Sequence, residues 1–484
     1  FFIIFFTIQI FVFNDYGFSN DEELSRTNGL VSYNYILEKL NISIFEPHKN
    51  IQNLNSYVDK DYGVAFELPL VFIEKIFNLK DDQSIYLARH YAVSLSFFIA
   101  SIYFFLTLNK FFSKEISIIG TLIFIIHPRI FAQSFYNSKD IGFLFYFCIC
   151  NYYFISFFFK QNLKNIILLS LAISLAIGTR IMAIMIPLLF LFFFIMQNLD
   201  KKTYYRFYLL IPFLFFLMVF TIIFWPYLWD DPSRFFVALI SMSDFRFLGE
   251  VFFNGEYFVA KYMPWYYVPV TILITTPIYY IVLFLVGSFF IFKKSIINLL
   301  NLKNNSDNIW KNQLELYLIY SLIIVFVTVG LIIELNSTVY TGWRQLYFIY
   351  PSIIFICIYG LNILLSVNNI RPYFYTIFFF SIFINLLWIY RNHPYQYTFY
   401  NSLIGKNNIK NFELDYWGVS NLDTLNALAR IKNKDIYKIY IYSVSPYHYS
   451  LNMIDSNNKK KFIFVQNIKD ADFILTNHYY QEKY

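Results

Sequence analysis

Leu163–Met196, LKNIILLSLAISLAIGTRIMAIMIPLLFLFFFIM, is apolar almost throughout. As one helix rising ~1.5 Å per residue it would be ~50 Å long, well beyond the ~30 Å hydrocarbon core of a bilayer. The run therefore has to fold back, and Gly178-Thr179-Arg180 is the one place where its apolar character lapses. Two segments that cross a bilayer and reverse are confined by backbone hydrogen bonding to helices or a closed barrel. Similar apolar runs recur on both sides of this one, which predicts an all-α polytopic membrane bundle.

Working outward, about eleven spans are expected, at 1–13, 86–109, 111–127, 141–159, 163–178, 181–197, 207–225, 265–292, 314–334, 345–366 and 373–390. The chain has 484 residues, 58% hydrophobic and 14% charged, a composition that excludes a soluble globular domain. Its 61 Phe and 43 Tyr resemble recognition surfaces. They accompany abundant Ile, Asn and Lys, all with A/T-rich codons, and so reflect codon bias. The apolar run to Phe13 is too short to span alone and is expected to be the end of a first span that begins earlier. Cys148, Cys150 and Cys357 fall inside apolar segments, where neither an extracellular disulfide nor a thiolate metal cage is expected.

The net charge of +7 is spread through short loops and forms no stripe of the kind that grips nucleic acid. It sets orientation instead. Alternate connections hold Lys110 and Lys114; Lys160 and Lys164; Lys201, Lys202 and Arg206; Lys293, Lys294, Lys303 and Lys311; and Arg371. These loops read as cytoplasmic. The other set, 14–85, 128–140, the turn at Arg180, 226–264, 335–344 and the tail after Arg391, reads as periplasmic or lumenal. The expected organisation is a transmembrane domain over 1–390, with amphipathic helices in its first outer loop at 14–85, and an α/β domain over 391–484. In that tail, strand-like runs lie at 436–444, 461–465 and 472–476. A helix is expected over 421–431, preceded by Ser420 and carrying Asp423 at capping-box spacing.

Acidic residues gather on the outer side. Asp21 and Glu22 follow Ser19 at the start of a segment in which Leu30, Tyr33, Leu37 and Leu40 recur at helical spacing. That pattern predicts a helix lying on the membrane surface with Ser19 and Glu22 as a capping box. Glu67 in Phe66-Glu67-Leu68-Pro69-Leu70 and Asp140 in Ser138-Lys139-Asp140 share this face with Arg129, Lys139, Arg180 and Arg344. Carboxylates at a membrane boundary need partners, and those cations are the candidates. Such a set suits departure of a lipid-linked phosphate from a sugar. Cations stabilise the leaving group, and a carboxylate takes the proton of an attacking hydroxyl. His127, beside Pro128, has no second histidine at metal-ligand spacing and reads as a packed residue. Asp415-Tyr416-Trp417-Gly418 reads as a turn around a buried Trp, or as part of an acceptor site.

In order and topology these segments resemble the GT-C membrane glycosyltransferases that use polyprenyl-phosphate sugars, the group of protein O-mannosyltransferases and lipid A aminoarabinose transferases. Asp21-Glu22 resembles their acidic pair in the first outer loop, and Phe66–Leu70 their second acidic site. Pro128–Asp140 resembles the second outer loop, and Arg344-Gln345-Leu346-Tyr347-Phe348 with Pro351 a late arginine entering a span. The resemblance implies Asp21, with Glu22 and Asp140, as catalytic residues, Asp21 being the base. It implies Glu67 and Asp140 as ligands of a divalent cation or of substrate, and Arg344 as a phosphate contact. The aminoarabinose transferases follow the glutamate with a lysine, where this chain has Leu68. Phosphate binding then falls to Lys139, Arg180 or Arg344, with Arg129 on the same face.

The expected function is an inverting glycosyltransferase of a bacterial inner membrane. It would move a sugar from a polyprenyl phosphate to a protein, lipid or glycan acceptor at the periplasmic face. The rival is a transporter or flippase, which would show pseudo-symmetric halves and charges near the midplane. A third reading, a membrane scaffold displaying the tail domain, gives the acidic loops no role.

Overall fold

A computed structural model describes the chain apart from residues 202, 244–246, 248, 303–309, 370, 406, 432–434, 443–446 and 478–484. Lys202, Lys303 and the end of the first expected tail strand, 443–444, lie outside the described residues.

The helices run α1 (Phe2–Val12), α2 (Glu22–Lys39), α3 (Glu67–Ile76), α4 (Asp82–Leu108), α5 (Lys114–Ile125), α6 (Pro128–Gln133), α7 (Ser138–Phe159) and α8 (Leu163–Ile177). They continue with α9 (Met185–Asp200), α10 (Leu210–Phe224), α11 (Arg234–Ser243), α12 (Tyr267–Thr275), α13 (Ile278–Leu302), α14 (Gln313–Glu334), α15 (Tyr350–Ser366) and α16 (Arg371–Arg391). Among the described residues, eight helices, some extended by a 3-10 lead-in, are long and apolar enough to cross a membrane. The runs expected as spans at 1–13, 111–127 and 163–178 form shorter helices of 11, 12 and 15 residues.

The decisive stretch reverses where the sequence indicated. Gly178 closes α8, Arg180 is extended, and a 3-10 turn at Ile181–Ile184 leads into α9. The run 265–292, expected as one span, is two helices. Thr276 is extended ahead of Pro277, as a residue before proline tends to be, so α12 stops and α13 starts afresh.

The helix α2, expected to be amphipathic, packs largely within the protein. Twelve of its 18 residues are buried, and Leu30, Tyr33 and Leu37 pack against Val71 of α3. Half of the expected capping box forms: the Ser19 amide donates to Glu22 Oε2 at 2.7 Å, whereas Ser19 Oγ is buried without a partner.

After α16 the chain returns across the bundle before building its tail domain. The Asn401 side chain donates to the carbonyls of Leu273 (2.7 Å) and Thr276 (2.6 Å), which pins this return to the α12–α13 break. An antiparallel hairpin, β1 (Glu250–Phe253) and β2 (Glu256–Val259), turns at Asn254-Gly255, both at positive φ. The tail has α17 (Ser420–Arg430) and strands β3 (Tyr437–Ile441), β4 (Phe462–Val465) and β5 (Phe473–Leu475), parallel in the order β4-β3-β5. These lie within the expected tail runs. Tyr437 and Ile439 are buried against Leu425 and Ala429 of α17. The Ser420 hydroxyl donates to Asp415 Oδ2 at 2.6 Å and does not cap α17.

Candidate active site

Asp21 is the residue before α2, Asp140 lies in the first turn of α7, Arg180 in the α8–α9 reversal, and Arg344 where the chain enters α15. Four segments far apart in sequence therefore meet at one end of the bundle. The Asn137 side chain accepts from the Asp140 amide at 3.1 Å, which caps α7 and fixes the acidic residue at the helix start.

Arg344 is the hub. Its Nη1 donates to Asp140 Oδ2 at 3.1 Å, and its Nη2 is 3.1 Å from Asp21 Oδ2. Its guanidinium carbon lies 4.6 Å from the Trp417 ring centre, 4.7 Å from Tyr340 and 5.7 Å from Tyr416. Asp140 is buried, and its Oδ1 accepts from Arg180 while Asn137 Nδ2 donates to its Oδ2 at 2.9 Å. Asp21 differs in keeping 27% side-chain exposure, so it is the carboxylate of the pair that an incoming group can reach. Lys139 Nζ sits 4.0 Å over the Tyr62 ring and makes no ion pair among the described residues. Arg180, Arg344 and Lys139 thus gather around Asp21 and Asp140, with Glu67 and Asp59 also close enough to act on Lys139.

The remaining expected residues are placed differently. Glu67 is beside the cluster, where the Ser138 hydroxyl and Arg89 both donate to it. Arg89 also donates to Glu74 at 2.9 Å, and Arg26 to Glu74 at 3.0 Å, forming a buried four-charge chain between α2, α3 and α4. Glu22 is buried against His90 Nε2 at 2.8 Å, away from Arg344. Arg129 donates from Nε to the Phe399 carbonyl at 2.8 Å and stacks 4.4 Å from the Tyr400 ring centre, bordering a separate cavity.

A divalent cation between Glu67 and Asp140 does not fit this donor set. Both oxygens of each carboxylate already accept from guanidinium, hydroxyl or amide groups. Among the described residues no three His, Cys, Asp or Glu side chains are arranged around a common point for an ion.

Sequence reasoning missed Arg89 and His90, although ionisable residues inside an apolar helix are a legible signal. It also missed the aromatic box. Asp415-Tyr416-Trp417-Gly418 is a turn with Gly418 at φ +67° and Trp417 buried, as read, and its two rings flank Arg344. Glu413, buried just before it, gave no sequence signal; burial raises its pKa to about 8 against the pull of the Phe252 amide, Arg129 and Arg344. His127, expected as a packed residue, is fully buried.

No protein-family model matches the chain, and no curated protein matches it. Among solved structures it is similar to the apo form of the Archaeoglobus fulgidus oligosaccharyltransferase, with a TM-score of 0.49 and 11% identity. The match covers 97% of this chain, which spans 64% of that protein's length.

Proposed function

We propose that the chain is an inverting glycosyltransferase that takes a sugar from a polyprenyl phosphate and passes it to an acceptor hydroxyl at the end of the bundle where Asp21 and Arg344 meet. The observation that carries this reading is the convergence of Asp21 and Asp140 on Arg344, with Arg180 and Lys139 alongside. The donor phosphate is drawn to Lys139, which makes no close ion pair among the described residues, and to the Arg180 and Arg344 guanidinium groups. Asp21, partly exposed, takes the proton of the acceptor hydroxyl. The hydroxyl oxygen forms the new bond to the anomeric carbon from the side opposite the phosphate, and the carbon–oxygen bond to the phosphate breaks with its electron pair leaving on phosphate. Fixed cations at the leaving oxygen and a positioned base are each worth roughly 10²–10⁴ in rate. Asp140 is a positioning residue, since it holds Arg180 and Arg344 in place. By the positive-inside pattern this end faces the periplasm of a bacterial inner membrane.

The test is Asp21→Asn in membranes supplied with labelled polyprenyl-phosphate sugar. Glycosidic product should fall by at least 10²-fold while the protein level holds. Wild-type turnover in this variant rejects the assigned base. Movement of solute or lipid across vesicles without any product assigns the bundle to transport.

A further inference from the structure

A cavity of about 20 Å³ is bordered by Arg129, Gln133, Thr341, Glu413, Tyr416 and Trp417. That is room for a water molecule or the tip of a small polar group. Two of its polar atoms, Arg129 Nη2 and Thr341 Oγ1, are buried without a hydrogen bond among the described residues. Arg129 is 9% exposed and makes no ion pair among the described residues. Glu413, the carboxyl on the same cavity, is held towards its neutral form by burial, so Arg129 lacks a full countercharge, which an anion from outside the chain would supply. Thr341 is held at φ +58°, unusual for a β-branched residue, followed by Gly342 at φ +69°. This strained pair points a hydroxyl into the wall two residues before Trp343-Arg344.

The cavity is joined to the reaction cluster. Asn137 Nδ2 donates both to Gln133 Oε1 (2.8 Å) and to Asp140 Oδ2 (2.9 Å), and Gln133 Nε2 donates to the Tyr347 hydroxyl at 3.0 Å. Whatever binds Gln133 is thus one amide away from Asp140.

We propose that this cavity is a second substrate subsite, which receives a phosphate or carboxylate group of the acceptor or of the donor on Arg129 and Thr341. Arg129 supplies two parallel donors with full charge, the geometry that suits either anion. Thr341 adds a hydroxyl donor, and Gln133 relays occupancy to Asp140. Assigning the anion to a substrate rests on the transferase reading, whereas the existence of the site does not.

Inorganic phosphate is the first probe, titrated calorimetrically against the purified full chain in nanodiscs. The wild type should bind it at two places, the Lys139 cluster and the Arg129 cavity. Arg129→Gln and Thr341→Val should each weaken one event at least 10-fold, Arg129→Lys should weaken it too because a lysine offers no fork, and Lys139→Gln should weaken the other. If Arg129→Gln keeps its melting temperature and binds phosphate as the wild type does, the subsite is overturned. If that variant does not fold, an unchanged titration in Thr341→Val overturns it. In transfer assays, a 10-fold rise in KM for the acceptor alone assigns the anion to the acceptor, and a rise for the donor alone assigns it to the lipid phosphate. Loss of the Lys139 event without loss of the Arg129 event, or the reverse, separates failure of one reading from failure of the other.

Discussion

Arg344 reaches two carboxylates from separate segments while three aromatic rings enclose it. A lysine there keeps the charge but has no planar fork to serve both partners. Arg344→Lys should fold and lose at least 10²-fold in transfer, measured on solubilised protein of unchanged melting temperature. Arg344→Ala should also destabilise, by about 3–5 kcal/mol, because Asp140 is left buried with one cation fewer. Glu413 gives a pH signature. Its ordinary pKa of 4.5 rises to about 8 on burial, so the folded chain keeps a proton that the unfolded chain releases in between. This contribution to stability is full below about pH 4.5 and is lost as pH rises to about 8. Arg129 and Arg344 oppose the shift, and the phenols of Tyr267, Tyr400 and Tyr416 face the same carboxyl. Glu413→Gln should therefore gain on the wild type, by an order of a few kcal/mol, between thermal melts at pH 5 and pH 8. A difference independent of pH contradicts a buried neutral carboxyl. Because guanidinium groups occupy the carboxylates, exhaustive chelation should leave transfer within about 2-fold, and loss restored by a divalent cation rejects this arrangement.

At the scale of elements, close backbone approaches hold the cluster together. A Cβ on Gly63 would lie 2.2 Å from the Gly178 carbonyl oxygen, and the Ala65 amide donates to that same oxygen at 2.8 Å. The end of the first outer loop is thereby docked on the reversal that carries Arg180. Gly63→Ala has to push the two apart, and should lower the melting temperature and weaken transfer together. Proteolysis within 57–66 should become faster in that variant. Deeper in the bundle, Gly287 and Gly360 let α13 and α15 touch: a Cβ at Gly287 would meet the Ile356 carbonyl oxygen at 2.2 Å, and one at Gly360 the Leu283 oxygen at 2.4 Å.

At the scale of the whole molecule, the segment after α16 is part of the site. Tyr416 and Trp417 wall Arg344, and Glu413 and Phe412 close the Arg129 cavity. A chain ending at Arg391 should still insert its spans. It should lose phosphate binding at both places and all transfer, because the box around Arg344 is open to water. Normal turnover by that truncated chain contradicts a shared site. The tail domain also stacks Tyr449 on Phe18, at 4.8 Å between ring centres, just before Asp21.

Much of this was legible beforehand, because the physical cause is local. Hydrophobic length dictates spans whatever their neighbours do, and Gly178-Thr179-Arg180 had to turn because no single helix of that length fits a bilayer. Strand-like apolar runs after a helix marked out the tail strands. The cluster's acids and cations were visible as charges a membrane boundary tolerates only when paired. Which acid met which cation was decided by packing. Glu22 and Asp21 are adjacent in sequence, yet helical geometry turns one to His90 and the other to Arg344. Glu67 went to Arg89 because α3 packs on α4, and Arg129 went to the Phe399 carbonyl because α6 faces the returning tail. Partner choice depends on distances across the chain's full length, which the order of residues alone does not encode.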